Sequence, residues 1–389
     1  MTEQIIYLDN NATTRVAPEV FEAMRPYLTE AYGNPSSAHT LGQKMRAVIE
    51  HAREQVAQLL GAAESGEIVF TSCGSESDNW AIRGVLEQHP DKRHIITTRV
   101  EHEAVRNLCE RLEGNGYEVT WLDVDGEGLL NLETLRSALR PDTAIVSVML
   151  ANNETGVLFP MDEIGRLVHE HSEAVFHVDA VQAAGKIPID VSKTAVDLLA
   201  ISGHKLHAPA GIGALYVRQG VSLSPLIIGG KQEGGRRAGT SAVPYIVALG
   251  EACELAKDAA AHERIRRLRD HFEDTILKTI PHTRLNGTHD RERRLPNTAN
   301  ISFEYIEGES ILAHLDELGI YVSTGSACNS GAHVSSPTLR AMNVPYTAAQ
   351  GSIRFSLGRY NTEAEIDYTL GVLPGIISRL AEMSPYEFK

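Results

Sequence analysis

Between residues 67 and 217 this chain alternates short apolar runs with longer stretches of helical periodicity, and that alternation limits the folds open to it. The apolar runs predict strands over 68–71, 94–98, 119–122, 144–149, 175–178, 198–202 and 213–217. Helices are predicted between most of them, over 77–87, 104–113, 132–139 and 161–171. Buried short strands alternating with helices call for a mostly parallel seven-stranded α/β sheet covered on both faces. Ligands of such sheets sit at the carboxyl ends of the strands, so the residues just after each run carry the functional interest. Upstream lie an apolar stretch ending in Asp9-Asn10-Asn11-Ala12-Thr13-Thr14, a helix over 19–27 and another over 43–60. Downstream of a glycine-rich loop at 229–239, one long helix is expected from 245 to about 277. A smaller α+β unit follows, with strands at 299–303, 321–323 and 352–356 and helices at 310–318 and 363–380. The charged stretch 287–296 reads as a surface loop within it.

Composition narrows the function classes. The 389 residues carry a formal net charge of -15, which argues against nucleic acid as the main ligand. The local basic runs Arg264-Ile265-Arg266-Arg267 and Arg291-Glu292-Arg293-Arg294 read as solvated surface. No apolar run approaches the roughly 20 residues of a membrane span. The first residues lack the basic region and long apolar core of a signal peptide. Cys73, Cys109, Cys253 and Cys328 are widely spaced with no CxxC pair, which fits a reducing cytoplasm better than a disulfide framework or zinc site.

The run at 198–202 stops at Ser202-Gly203-His204-Lys205 and delivers one lysine after a buried strand. A surface lysine is the commoner outcome. Other strand ends alter the balance. The Ser72-Cys73-Gly74-Ser75 turn opens a helix, and helix N–H groups with a glycine beside them suit an anion, although a plain capped turn has the same composition. Glu101-His102 places a histidine where it could stack on a flat cofactor and move protons, or be structural. Asn152-Asn153-Glu154-Thr155-Gly156 could offer amides to a phenolic oxygen or be ordinary turn chemistry. Asp179, closing the run at 175–178, needs a cationic partner, and the pyridinium nitrogen of pyridoxal phosphate (PLP) is one. Asp179 precedes Lys205 by about one strand–crossover–strand unit, so both can face one pocket. A lysine holding PLP as a Schiff base accounts for the whole set. No GxxxxGK[ST] loop or dinucleotide fingerprint competes, and His204 with His207 lacks a metal-binding context.

The second reactive residue is Cys328, in the small, polar stretch Gly325-Ser326-Ala327-Cys328-Asn329-Ser330-Gly331. Cys109 and Cys253 sit in helical patterns and read as inert. An exposed loop thiol could visit a cofactor and then carry sulfur outward. Arg354, alternating with apolar neighbours, could grip a carboxylate or form a structural ion pair.

The motifs Tyr7-Leu8-Asp9-Asn10-Asn11-Ala12-Thr13-Thr14, Gly33-Asn34-Pro35-Ser36-Ser37, Ser72-Cys73-Gly74-Ser75-Glu76-Ser77-Asp78, Ala151-Asn152-Asn153-Glu154-Thr155-Gly156, His177-Val178-Asp179-Ala180-Val181-Gln182, Ser202-Gly203-His204-Lys205, Arg237-Ala238-Gly239-Thr240 and Gly325-Ser326-Ala327-Cys328 occur in this order. In them the chain resembles cysteine desulfurases of the NifS/IscS group, class V aminotransferases of PLP fold type I, and is most similar to the NifS branch. The resemblance implies a large PLP-binding domain over 15–257 and a small domain from 1–14 with 258–389, carrying the cysteine loop. Lys205 would hold the cofactor, Asp179 would pair with its ring nitrogen, Gln182 and Asn153 with its ring oxygen, and His102 would stack on it. Gly74, Ser75, Ser202 and His204 would hold the phosphate. Thr240 would reach the cofactor of a second subunit, implying a homodimer. Arg354, with Asn11 or Asn34, would bind the substrate carboxylate. Ser75 stands where relatives often have threonine, and Ala210 where lysine is expected.

The implied reaction converts L-cysteine to L-alanine, with Lys205 removing the Cα proton, His102 assisting proton transfers and Cys328 taking the sulfur as a persulfide. The acceptor would be an iron–sulfur scaffold protein, in general supply or in nitrogen fixation through nitrogenase cofactor maturation. Cys328 could also ligate a transient iron–sulfur cluster. Selenocysteine lyase, cysteine-sulfinate desulfinase and a non-catalytic assembly partner are the competing readings.

Overall fold

The computed structural model describes residues 5–324 and 336–384. A two-residue strand, β1 (Ile6–Tyr7), comes first. The expected strands follow as β2 (Ile68–Thr71), β3 (His94–Thr98), β4 (Glu118–Leu122), β5 (Thr143–Ser147), β6 (Val175–Asp179), β7 (Leu198–Ser202) and β8 (Gly213–Val217). They form one seven-stranded sheet in the order β2-β8-β7-β6-β5-β3-β4. β8 runs antiparallel to both neighbours, and the remaining pairs are parallel. The carboxyl ends of β2, β3, β5, β6 and β7 therefore share one side of the sheet.

Strand alternation loads both faces. Ile68, Phe70, Leu199 and Ile201 enter one apolar layer, while Val69, Leu198 and Ala200 enter the other. The helix Thr40–Leu60 buries Met45, Ile49, Ala52, Val56 and Leu60 at helical spacing, and Gly61 ends it in the left-handed conformation. It packs on the helix Val243–Leu255, where a Cβ at Gly250 would lie 2.9 Å from the Ala52 Cα.

The long helix expected from 245 to 277 is two helices, Val243–Leu255 and Ala259–Thr279. Asp258 separates them: its carboxylate accepts from the Ala261 N–H at 3.1 Å and caps the second helix.

The second unit adds β9 (Thr283–Leu285), β10 (Thr298–Phe303), β11 (Ile320–Tyr321), β12 (Ser323–Thr324) and β13 (Ser352–Ser356). Its antiparallel sheet has the order β12-β13-β10-β9, while β11 pairs with β1. The single strand expected at 321–323 is thus two short strands on different sheets. Ile6 and Leu8 are fully buried in this unit's core with Phe272, Ile301 and Phe355. Such burial is worth about 1.5–3 kcal/mol per side chain. It anchors the N-terminal segment, which continues along β13 through Ser356 N–H to the Leu8 carbonyl at 2.7 Å.

The charged stretch before β10 is exposed at 289–290 and 292–293, as expected of a surface loop, and departs from that at its buried ends. Arg294 is 2% exposed and makes a two-pronged pair with Glu273, at 2.8 and 2.7 Å. Arg269 beside it is fully buried and donates to the carbonyls of Leu295 and Thr298. These acceptors offset the desolvation of the two guanidiniums, although Arg269 Nη2 and Arg294 Nε have no partner among the described residues. Removing one partner leaves a buried charge, so Glu273→Leu should cost about 3–5 kcal/mol in chemical denaturation.

Candidate active site

Five strand ends converge on one cavity of about 290 Å3. Gly74 and Ser75 open the helix that follows β2, His102 comes from beyond β3, and Asn153 from beyond β5. Asp179 and Gln182 come from the end of β6, and Ser202, His204 and Lys205 from the end of β7.

One part of the cavity is built for an anion. The 15-residue helix Gly74–Gln88 starts there, and its N-cap residue, Cys73, makes no side-chain capping bond. The first-turn N–H groups have no partner within the helix, and the dipole adds positive character. A Cβ at Gly74 would come within 2.7 Å of Val181 Cγ2, so the backbone lies close to its neighbours and to the cavity. Ser202 Oγ is buried and has no hydrogen-bond partner among the described residues. His204 Nδ1 lies 3.1 Å from Thr13 Oγ1. Burial, with the charges of Lys205, His102 and Lys186, pushes the His204 pKa down to about 4.

Another part is built for a cation. Asp179 is 5% exposed, with one oxygen taking the Val181 N–H at 2.9 Å. Burial raises its pKa, and the nearby His102 and Lys205 offset this only in part. A protonated ring nitrogen would supply the missing charge. Lys205 Nζ donates to the carbonyl oxygens of Asn11 and Ala12, which lie on the incoming N-terminal segment. His102 Nδ1 accepts the Ala104 N–H at 3.1 Å and caps the following helix, leaving Nε2 available to the cavity.

Beneath these groups lies a buried polar layer that sequence reading did not single out. Asp78 also lines the cavity, and its Oδ1 is 3.5 Å from His177 Nε2. His177 Nδ1 meets Ser147 Oγ at 2.9 Å, and burial pushes its pKa down to about 3. Burial, then the carboxyls of Asp179 and Glu101, push Asp78 well above the usual range. Glu101 takes Thr98 Oγ1–H at 2.7 Å and Met149 N–H at 3.1 Å, yet burial pushes it up to about 8. The available signal was a polar side chain within or directly after an otherwise apolar run.

Other expected residues lie elsewhere. Asn11 is 1% exposed, and its amide hydrogens go to the Asn153 carbonyl and Thr298 Oγ1. Its side chain is therefore engaged by the protein rather than offered to a substrate. Asn34 is exposed, accepts the Ser36 N–H, and does not line the cavity. Thr240 is exposed and also away from it. Arg354 pairs with Asp9 at 2.7 Å and donates to the Asn153 carbonyl at 3.2 Å, while its buried Nε has no partner among the described residues. Cys328 lies outside the described residues. Burial pushes the Cys109 thiol up to about 12 and Cys253 higher, whereas Cys73 is half-buried at the cavity wall. Ala210 is exposed on the turn beyond Lys205, and nothing in the structure explains the substitution. Among the described residues, no helix is long and apolar enough to cross a membrane.

The chain matches the family described as "Aminotransferase class-V" over residues 6–369, and it belongs to that family. It is 58% identical over 385 residues to a cysteine desulfurase of Trichormus azollae, covering 98% of this chain and 95% of the relative. It is 51% identical to the cysteine desulfurase NifS of Azotobacter vinelandii, covering 98% and 94%. A solved NifS-like protein superposes with a TM-score of 0.91 at 41% identity, over 97% of this chain and all of that one. The function shared at this level is that of a cysteine desulfurase, a PLP enzyme. The unpartnered Ser202 hydroxyl, the open helix start at Gly74 and the buried Asp179 carboxyl fit that cofactor.

The Glu101 carboxyl provides a pH test of the buried layer. Its folded pKa of about 8 lies above the unfolded value of 4.5, so the stability it contributes is complete below pH 4.5 and is lost as pH rises towards 8. Glu101→Gln lacks this loss. Between pH 5 and 8 it should therefore gain stability relative to the native chain, at up to about 1.4 kcal/mol per pH unit, in paired denaturation curves.

Proposed function

We propose that this cysteine desulfurase takes sulfur from L-cysteine as a persulfide on Cys328, releases L-alanine, and passes the sulfur to an iron–sulfur scaffold protein. The supporting observation is the convergence of five strand ends on Lys205, with an anion site at Gly74 and Ser202 and a buried carboxyl at Asp179.

Lys205 would hold the cofactor, Asp179 its ring nitrogen, Asn153 and Gln182 its ring oxygen, and His102 its face. Gly74, Ser75, Ser202 and His204 would hold the phosphate. When bound, PLP supplies an electron sink for the pair left on Cα after deprotonation. Lys205 would accept the Cα proton, and Arg354, which donates to the Asn153 carbonyl, would be the cation for a substrate carboxylate. The Cys328 thiolate attacks the substrate sulfur. An S–S bond forms as the C–S bond breaks, and the departing electron pair stays on the carbon fragment. His102 Nε2 returns protons to that fragment, which leaves as alanine.

A second copy of the chain would complete the site by bringing its Thr240 to the phosphate. The exposed Ile227 and Ile228, thirteen and twelve residues before Thr240, support an apolar subunit contact near that loop. A reducing cytoplasm would keep the Cys328 thiol available between turnovers. The sulfur would go either to general iron–sulfur supply or to nitrogenase cofactor maturation in nitrogen fixation.

Incubating the holoenzyme with L-cysteine should yield alanine and a mass increase of one sulfur on the Cys328 peptide. Cys328→Ala should lose the persulfide and at least about 100-fold of the sulfur transfer. Absence of alanine would overturn the reading. Retention of turnover on L-selenocysteine alone would replace it with a selenocysteine lyase.

A further inference from the structure

Lys186 lies four residues after Gln182, and its Nζ is turned towards two buried amides, those of Gln182 and Asn11. Nζ donates to Gln182 Oε1 at 2.9 Å and to Asn11 Oδ1 at 3.0 Å. Burial, then the charges of Lys205 and Arg354, hold its pKa well below the usual lysine range. A lysine amine retains hydrogens to donate in either protonation state.

Those contacts determine how two amides face. A donor at Oε1 forces the Gln182 carbonyl oxygen towards Lys186 and its NH2 group away. One of those hydrogens goes to the Asn11 carbonyl oxygen at 2.9 Å, and the other is left on the side where Gln182 lines the cavity. Asn11 Oδ1 takes Lys186 and, at 3.0 Å, Asn297 Nδ2, which sends the Asn11 NH2 towards Asn153 and Thr298. The Asn11 carbonyl oxygen that receives Gln182 also receives Lys205.

We propose that Lys186 is a positioning residue: it locks the Gln182 amide so that an N–H faces the ring oxygen of a cofactor held on Lys205. This rests on Lys205 being the anchor. Ring oxygen and lysine linkage are adjacent on PLP, so a donor on that oxygen disfavours a proton on the linkage.

The test is a pH titration of the cofactor–lysine absorbance band in the holoenzyme, with melting temperature as a control for folding. Lys186→Met should raise the midpoint by about half a unit or more. Gln182→Leu should raise it too, and the double variant should not exceed the larger single shift, because the two residues act as one. Lys186→Arg, which keeps a donor, should hold the native midpoint if Lys186→Met fails to fold. A Lys186→Met midpoint within about 0.2 units of native, a fully additive double variant, or an Arg variant as shifted as Met would overturn the proposal. Absence of the band from the native protein would instead overturn the assignment of Lys205 as anchor.

Discussion

A carboxyl group closing a buried parallel strand is costly unless a cation answers it. Asp179 is that group, and its environment raises its pKa even with Lys205 and His102 nearby. The cavity around it is correspondingly divided. A helix start, a glycine without room for a side chain and an unpartnered serine hydroxyl call for an anion. The Asp179 carboxyl calls for a cation. A phosphorylated pyridine with a protonated ring nitrogen satisfies both demands in one molecule. In the proposed reading Lys205, which lines the same cavity, would hold its remaining reactive carbon.

The N-terminal segment ties this site to the second unit. Ile6 and Leu8 are buried in the smaller core, while three residues beyond Leu8 the Asn11 carbonyl receives Lys205 and Gln182. Asp9 holds Arg354 of β13, and Arg354 reaches the Asn153 carbonyl at the cavity's other wall. The site is therefore assembled from both units, and a shift of one against the other would be felt at the lysine, the amides and the guanidinium together.

Much of this was legible because buried strands announce their ends. Asp179, Ser202 and Lys205 each follow or close an apolar run, so their proximity follows from the parallel sheet without any knowledge of long-range contacts. The helix break at Asp258 was hidden because no glycine or proline stands between the two helices, and the capping contact that separates them does not show in a pattern of apolar residues. The strands of two and three residues are too short to carry a period. Arg294 looked like loop surface because its partner, Glu273, lies on a different element. The same reason hid Lys186, Asp78 and His177, whose roles come from groups far along the chain or within a buried layer. Asn34 and Thr240 show the converse case, motif residues that the fold of this chain does not bring to the cavity.

The central claim is that Lys205 is the residue on which the cofactor is carried. Borohydride reduction of the holoenzyme, followed by digestion and mass spectrometry, tests it directly. The account predicts the pyridoxyl-phosphate mass on the peptide containing Ser202-Gly203-His204-Lys205 and its absence in Lys205→Ala. The same label on Lys186, or undiminished labelling of the Lys205→Ala protein at any other lysine, would contradict it.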